Sequence, residues 1–253
     1  GDGVWDNANT NWHDGAGNVT WPGTSATAQF GAGTNSGGSY AVDVAAPVGA
    51  LGLQFPAGST YTLGGTGTVS LAGGTVLAGA DATIGARLTG AGFIKNGTGT
   101  VTIVRTNTAN TYTGPIQIDA GTVVAAGTVG DGVIRGDVQV NAGGTFRLGG
   151  NNIVVNSAVF TLAAGGVLNM GGYSDAMGAL VGAGTVVSNT NGTGLYLDNV
   201  GPGVDRVFSG SVLGGGRLHL RTDVAQGGTQ WLNGTNELGY VAVEGPSTLR
   251  FSS

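Results

Sequence analysis

The sequence predicts an all-β chain coiled into a parallel β-solenoid, and three observations carry that expectation. Glycine fills 53 of 253 positions, while Asp, Glu, Lys and Arg together make up 9% of the chain; average soluble proteins carry roughly 7% glycine and about 25% charged residues. Hydrophobic residues reach 40%, enough for a packed core and too many for a chain held open by charge. A short phrase also recurs at a near-constant interval, the mark of a repeat architecture.

That phrase is a glycine, often followed by threonine, leading into residues that alternate apolar and polar. It stands at Gly67 (GTVSL), Gly99 (GTVTI), Gly121 (GTVVA), Gly144 (GTFRL), Gly166 (GVLNM) and Gly216 (GRLHL), with GTVVS at Gly184 and GLYL at Gly194. From Gly99 the steps are 22, 23 and 22 residues, then 18 to Gly184; Gly194 lies 22 before Gly216. In GTFRL, Phe146 and Leu148 fall on one strand face, Thr145 and Arg147 on the other. Val138 and Val140 repeat the pattern one strand earlier, and NAGG supplies the bend, since Asn and Gly tolerate positive φ. Strands this short cannot bury one face alone. Stacking successive turns buries it and pairs each main chain with its neighbours at about 4.8 Å per turn. About ten turns over residues 41–253 make a rod on the order of 45–50 Å long. Helix is disfavoured by glycine and by the Thr and Val around it, and collagen is excluded because the glycines do not fall at every third position and the prolines number only 6. A β-sandwich or barrel is the alternative, but it would not keep a 22-residue interval in constant phase.

Residues 1–40 read differently. Trp5, Trp12 and Trp21 lie here, followed by Phe30 and Tyr40. This segment is either an aromatic cap over the first open turn or a docking platform for glycans or a partner. At the other end, STLRFSS alternates as a strand without a polar cap. Trp5, Trp12, Trp21, Phe30, Leu249 and Phe251 are therefore the candidate interface residues, with the chain itself as the expected partner and cell-surface glycans as the alternative.

Catalytic and metal chemistry finds little support. There is no cysteine, and the net charge is −5, which argues against a nucleic-acid footprint. No apolar run approaches the roughly 20 residues of a membrane span. His13 and His219 lie near opposite ends of the chain and lack metal-ligand spacing; His219, between Leu218 and Leu220, reads as outward-facing. Asp131, Arg135 and Asp137 form the densest charged cluster, which suits a solvated loop better than a polysaccharide-cleaving site or a lone calcium site. The Asn-Gly-Thr triplets at Asn96, Asn191 and Asn233 read as turn chemistry, and Lys95, the single lysine, as an exposed side chain. No enzyme, no cofactor and no metal site is expected.

With these residues in view, GTGTVTIVRTNTANTYTGPIQIDAGTVVAAG (Gly97 to Gly127) resembles the autotransporter-associated β-strand repeat of bacterial passenger regions. The stretches from Leu162 to Val187 and from Phe208, and the N-terminal W…NW…WPG…TAQF pattern, are similar to other parts of such passengers. The resemblance implies a right-handed, single-stranded parallel β-helix with an aromatic-rich N-terminal cap, secreted or at the bacterial cell surface. The uncapped terminal strand and the scarcity of charge point to a rod that associates end to end as a surface fibre; an adhesin segment is the alternative, and a polysaccharide-cleaving β-helix the lesser one. The chain opens without a signal-like segment and no barrel-like alternation follows at its end, so the expectation is a processed passenger without its membrane barrel.

Overall fold

The computed structural model describes residues 2–31, 37–188, 193–198, 205–221 and 228–252. These residues form strands and turns without helix, wound into a parallel β-solenoid of about nine turns. A full turn lays one strand on each of three faces. The first face is a ten-stranded sheet running from Gly3–Trp5 to Ser211–Leu213, and the second an eleven-stranded sheet from Thr27–Gln29 to Thr248–Phe251. The third face is divided into a three-stranded sheet (Val48–Ala50, Thr68–Leu71, Arg87–Gly90) and a four-stranded one. The latter comprises Asp175–Met177, Gly194–Leu197, Arg217–Arg221 and Tyr240–Glu244. Among the described residues the one antiparallel pairing of strands is the short hairpin Trp12–His13 with Asn18–Val19.

The repeated phrase sets the register. Val101 pairs with Val123, Val123 with Phe146, Phe146 with Leu168, and Leu168 with Val186, reproducing the sequence intervals. Three copies belong elsewhere: GTVSL, GLYL and GRLHL lie on the third face. There Gly194 pairs with Arg217 rather than with Gly216.

The leading glycine has a steric cause. At Gly99, Gly121, Gly144, Gly166 and Gly184 an added Cβ would overlap a carbonyl oxygen of the preceding turn (for Gly121, those of Gly97 and Gly99). At these five positions the chain enters its first-face strand by crossing the backbone below, and only a residue without a side chain fits that crossing. Behind it the inward positions fill the core. Val101, Ile103, Val123, Ala125, Phe146 and Leu148 from the first face meet Ile116, Ile118, Val138, Val140, Phe160 and Leu162 from the second, all fully buried. Each larger apolar side chain so buried contributes about 1.5–3 kcal/mol, and the ladder satisfies the main-chain polar groups that come with it.

Candidate functional site

Four regions could carry function: the two ends of the rod, the polar groups inside it, and its charged corners. At the N-terminal end, Trp5 is fully buried, Trp21 and Phe30 nearly so, and Trp12 is half-buried. Trp5 meets Trp12, Trp21 and Phe30 edge-on at centroid separations of 5.3, 5.2 and 5.6 Å, while Phe30 stacks on Phe55 of the next turn at 5.1 Å. Such edge-to-face pairs add about 0.5–1.5 kcal/mol each beyond burial. The Trp21 indole donates to the Gly49 carbonyl at 2.6 Å. Those of Trp5 and Trp12 are enclosed without an acceptor. The polar turns around the cluster bind themselves: Asp6 accepts amide hydrogens from Asn9 and Ala8, which hold its carboxyl below the usual range. His13 accepts from the Gly15 amide. The four aromatic candidates are thus brought together, largely facing one another.

The last described turn leaves its inward row uncovered. Val241 pairs with Leu218, Val243 with Leu220, Leu249 with Gln230 and Phe251 with Leu232. Each of those earlier partners is buried, so the later four occupy inward positions as well. Yet Val241, Val243 and Phe251 are 39%, 46% and 52% exposed, and Leu249 is half-buried. Leu249 and Phe251 were legible as candidates; Val241 and Val243, which complete the row, were missed because Tyr240–Glu244 lacks the glycine-led phrase.

Inside the rod, polar side chains supplement the isolated main-chain bonds that remain where the third face loses its strands, such as Thr111 to Leu88 and Val133 to Ile153. The Asn110 Oδ1 accepts from the Leu88 amide at 2.8 Å, and its Nδ2 donates to the Val133 carbonyl at 2.8 Å. The Tyr112 hydroxyl accepts from the Arg135 amide at 3.0 Å. Asp175 takes amide hydrogens from Ile153, Val154 and Ala176 at 2.8–3.2 Å. Asn110 and Tyr112 thus join the turns of Leu88, Asn110 and Val133, and Asp175 joins its own turn to that of Ile153; between Val133 and Ile153 the link is main-chain. Burial drives the Asp175 carboxyl up to about 7 despite its amide donors.

Lys95 corrects the sequence reading: it is fully buried, not exposed. Its alternation with Phe93 was the available signal, since both fall on the inward face of Phe93–Asn96. The side chain stands between Val76 and Ile118 of the adjoining turns. Its Nζ reaches a corner and donates to the carbonyls of Asn96, Gly97 and Ala120 at 3.0, 2.7 and 3.0 Å. Burial lowers its pKa to about 8, partly offset by Asp81.

The charged cluster is scaffolding. Arg135 Nη1 donates to the Asp131 carbonyl at 2.6 Å, and Asp137 accepts from the Val159 amide at 2.8 Å. His219 is half-buried on the outer side of its strand, between the rings of Tyr196 and Tyr240 at 4.7 and 5.3 Å. Among the described residues no three His, Asp or Glu side chains gather as a metal site would require. Asn96 Oδ1 accepts from the Gly97 amide, a turn contact; Asn191 lies outside the described residues.

The architecture is that of a solenoid held by main-chain ladders. Residues 93–129 match the family model of the Passenger-associated-transport-repeat. The matched segment spans a full turn and contains Lys95, Asn110, Tyr112 and the Gly121 crossing. No curated protein and no solved structure matches the chain. Fold and repeat together make it a passenger-like β-helix segment, resembling autotransporter passengers, and the matched repeat is a structural one rather than an enzyme family.

Proposed function

We propose that this chain is a non-enzymatic structural rod of a secreted or surface-exposed bacterial passenger, and that copies associate end to end through the C-terminal turn. The observation that carries this reading is the exposed inward row Val241, Val243, Leu249 and Phe251. Its counterparts in the preceding turn are covered by that row. An uncovered apolar row beside two strand edges is a template for further pairing, and the low charge of the chain offers little repulsion against it. The N-terminal end is less available: the Asn11 side chain donates to the Val4 carbonyl on the outermost first-face strand.

Sedimentation velocity and electron microscopy test this. The 253-residue chain is expected to form concentration-dependent end-to-end assemblies, and Val243→Glu with Phe251→Glu to leave single rods. A strictly monomeric wild type at high concentration contradicts the proposal. Adhesion to glycans, the alternative, draws little from the tryptophans, whose rings pack on one another.

A further inference from the structure

Where the first and third faces meet, a groove of about 480 Å³ is lined by Arg87, Arg105 and the threonines Thr66, Thr68, Thr106 and Thr108, among others. The two arginines are fixed by consecutive carbonyls of one loop. Arg87 Nε donates to Ala109 at 2.9 Å, and Arg105 Nε to Thr108 at 2.6 Å. Arg105 Nη1 also donates to the Gly85 carbonyl at 2.5 Å. This anchoring engages both Nε atoms and Nη1 of Arg105, and leaves Nη2 of Arg105 and the outer nitrogens of Arg87 for a further acceptor.

No Asp or Glu lines the groove. The Asp43 carboxylate lies against Gly65 at its rim. Burial first, then the like charge of Arg87, holds the Arg105 guanidinium below the usual arginine range. Two of only nine basic residues in a chain of net charge −5 thus line one groove, with the Asp43 carboxylate at its rim. Paired guanidinium forks match the geometry of carboxylate and sulfate oxygens, and hydroxyl-rich walls suit the rim of a sugar ring. A volume of this size falls within the range of small-ligand sites, about 300–1,000 Å³.

We propose that this groove binds the anionic group of an acidic saccharide, with Arg87 and Arg105 gripping the oxyanion and the flanking threonines meeting the ring hydroxyls. The site is independent of the end-to-end contact, which lies many turns away, so either can fail alone.

Calorimetric titration of the 253-residue chain with tetragalacturonate, maltotetraose and sodium sulfate, in low-salt buffer, tests the assignment. Tetragalacturonate is expected to bind, maltotetraose not, and added salt to weaken the binding. Losing charge-assisted hydrogen bonds in Arg87→Gln should weaken it by roughly tenfold or more, and Arg87→Lys by less. If Arg87→Gln alters the fold, as a melting curve would show, amide shifts of Thr106 and Thr108 in the wild type on adding tetragalacturonate supply the readout. Equal binding of maltotetraose, binding of sulfate alone, no binding, or no change at Thr106 and Thr108 overturns the proposal.

Discussion

Lys95 Nζ donates to the carbonyl oxygen of Ala120 at 3.0 Å, so the single lysine of the chain links its own turn to the next from inside the rod. Lys95→Ala should destabilise by about 3–5 kcal/mol, because it opens a cavity and leaves buried carbonyls without a donor. Lys95→Met keeps most of the packing and should cost about 1–2 kcal/mol. Chemical denaturation of the two variants checks the order.

Asp175 and Lys95 make stability depend on pH in opposite senses. The folded Asp175 pKa of about 7 lies above its ordinary 3.8. Its contribution is therefore fully present below about 4 and is lost as pH rises through 7. The folded Lys95 pKa of about 8 lies below its ordinary 10.5. Its contribution is present above about 10.5 and is lost as pH falls through 8. A shallow stability minimum between about pH 7 and 8 is expected. Denaturation midpoints from pH 5 to 10 should show it, with Asp175→Asn flattening the acid side and Lys95→Met the alkaline side.

Asn110 should be hard to replace. Asn110→Ala deprives the Leu88 amide and the Val133 carbonyl of their partners, at a cost of about 2–5 kcal/mol. Asn110→Asp retains an acceptor for Leu88 but sets a carboxylate against the Val133 carbonyl, and should fare no better. Melting temperatures of both variants decide this.

These interior residues mark the limit of what the sequence discloses. The first-face strands were legible because a glycine and an alternating run recur in phase, and their register followed from the intervals alone. The third face was not, because residues 106–115 and 128–136 carry neither alternation nor phrase; isolated main-chain bonds join them to their neighbours, together with Asn110, Tyr112 and Asp175, which a hydropathy pattern assigns to the outside. Lys95 was misread for the same reason: residue type outweighed its position in the alternation. At the ends, the aromatic cluster was visible as composition, but the mutual packing of Trp5, Trp12 and Trp21 depends on a geometry no spacing encodes.

The glycine crossings give a sharper mutational contrast. In Gly144→Ala the new methyl would meet the Ile118 carbonyl oxygen at 2.5 Å and its Cγ2 at 3.0 Å, so the turns must separate locally. Gly172 has φ of +88° but open space around it. Gly172→Ala should cost about 1–2 kcal/mol of backbone strain, and Gly144→Ala clearly more, about 3 kcal/mol or above. Thermal unfolding of the pair separates crossing sterics from backbone strain.

The stacked register is the claim on which the rest depends, and a chain without cysteine lends itself to cross-linking. Thr122 and Thr145 pair on adjacent turns, outward-facing, at a separation a disulfide can span. Oxidation of the double variant Thr122→Cys with Thr145→Cys should close an intramolecular bond rapidly, while Thr122→Cys with Asn169→Cys, two turns apart, should not. Equal cross-linking of both pairs, or of neither, contradicts the account.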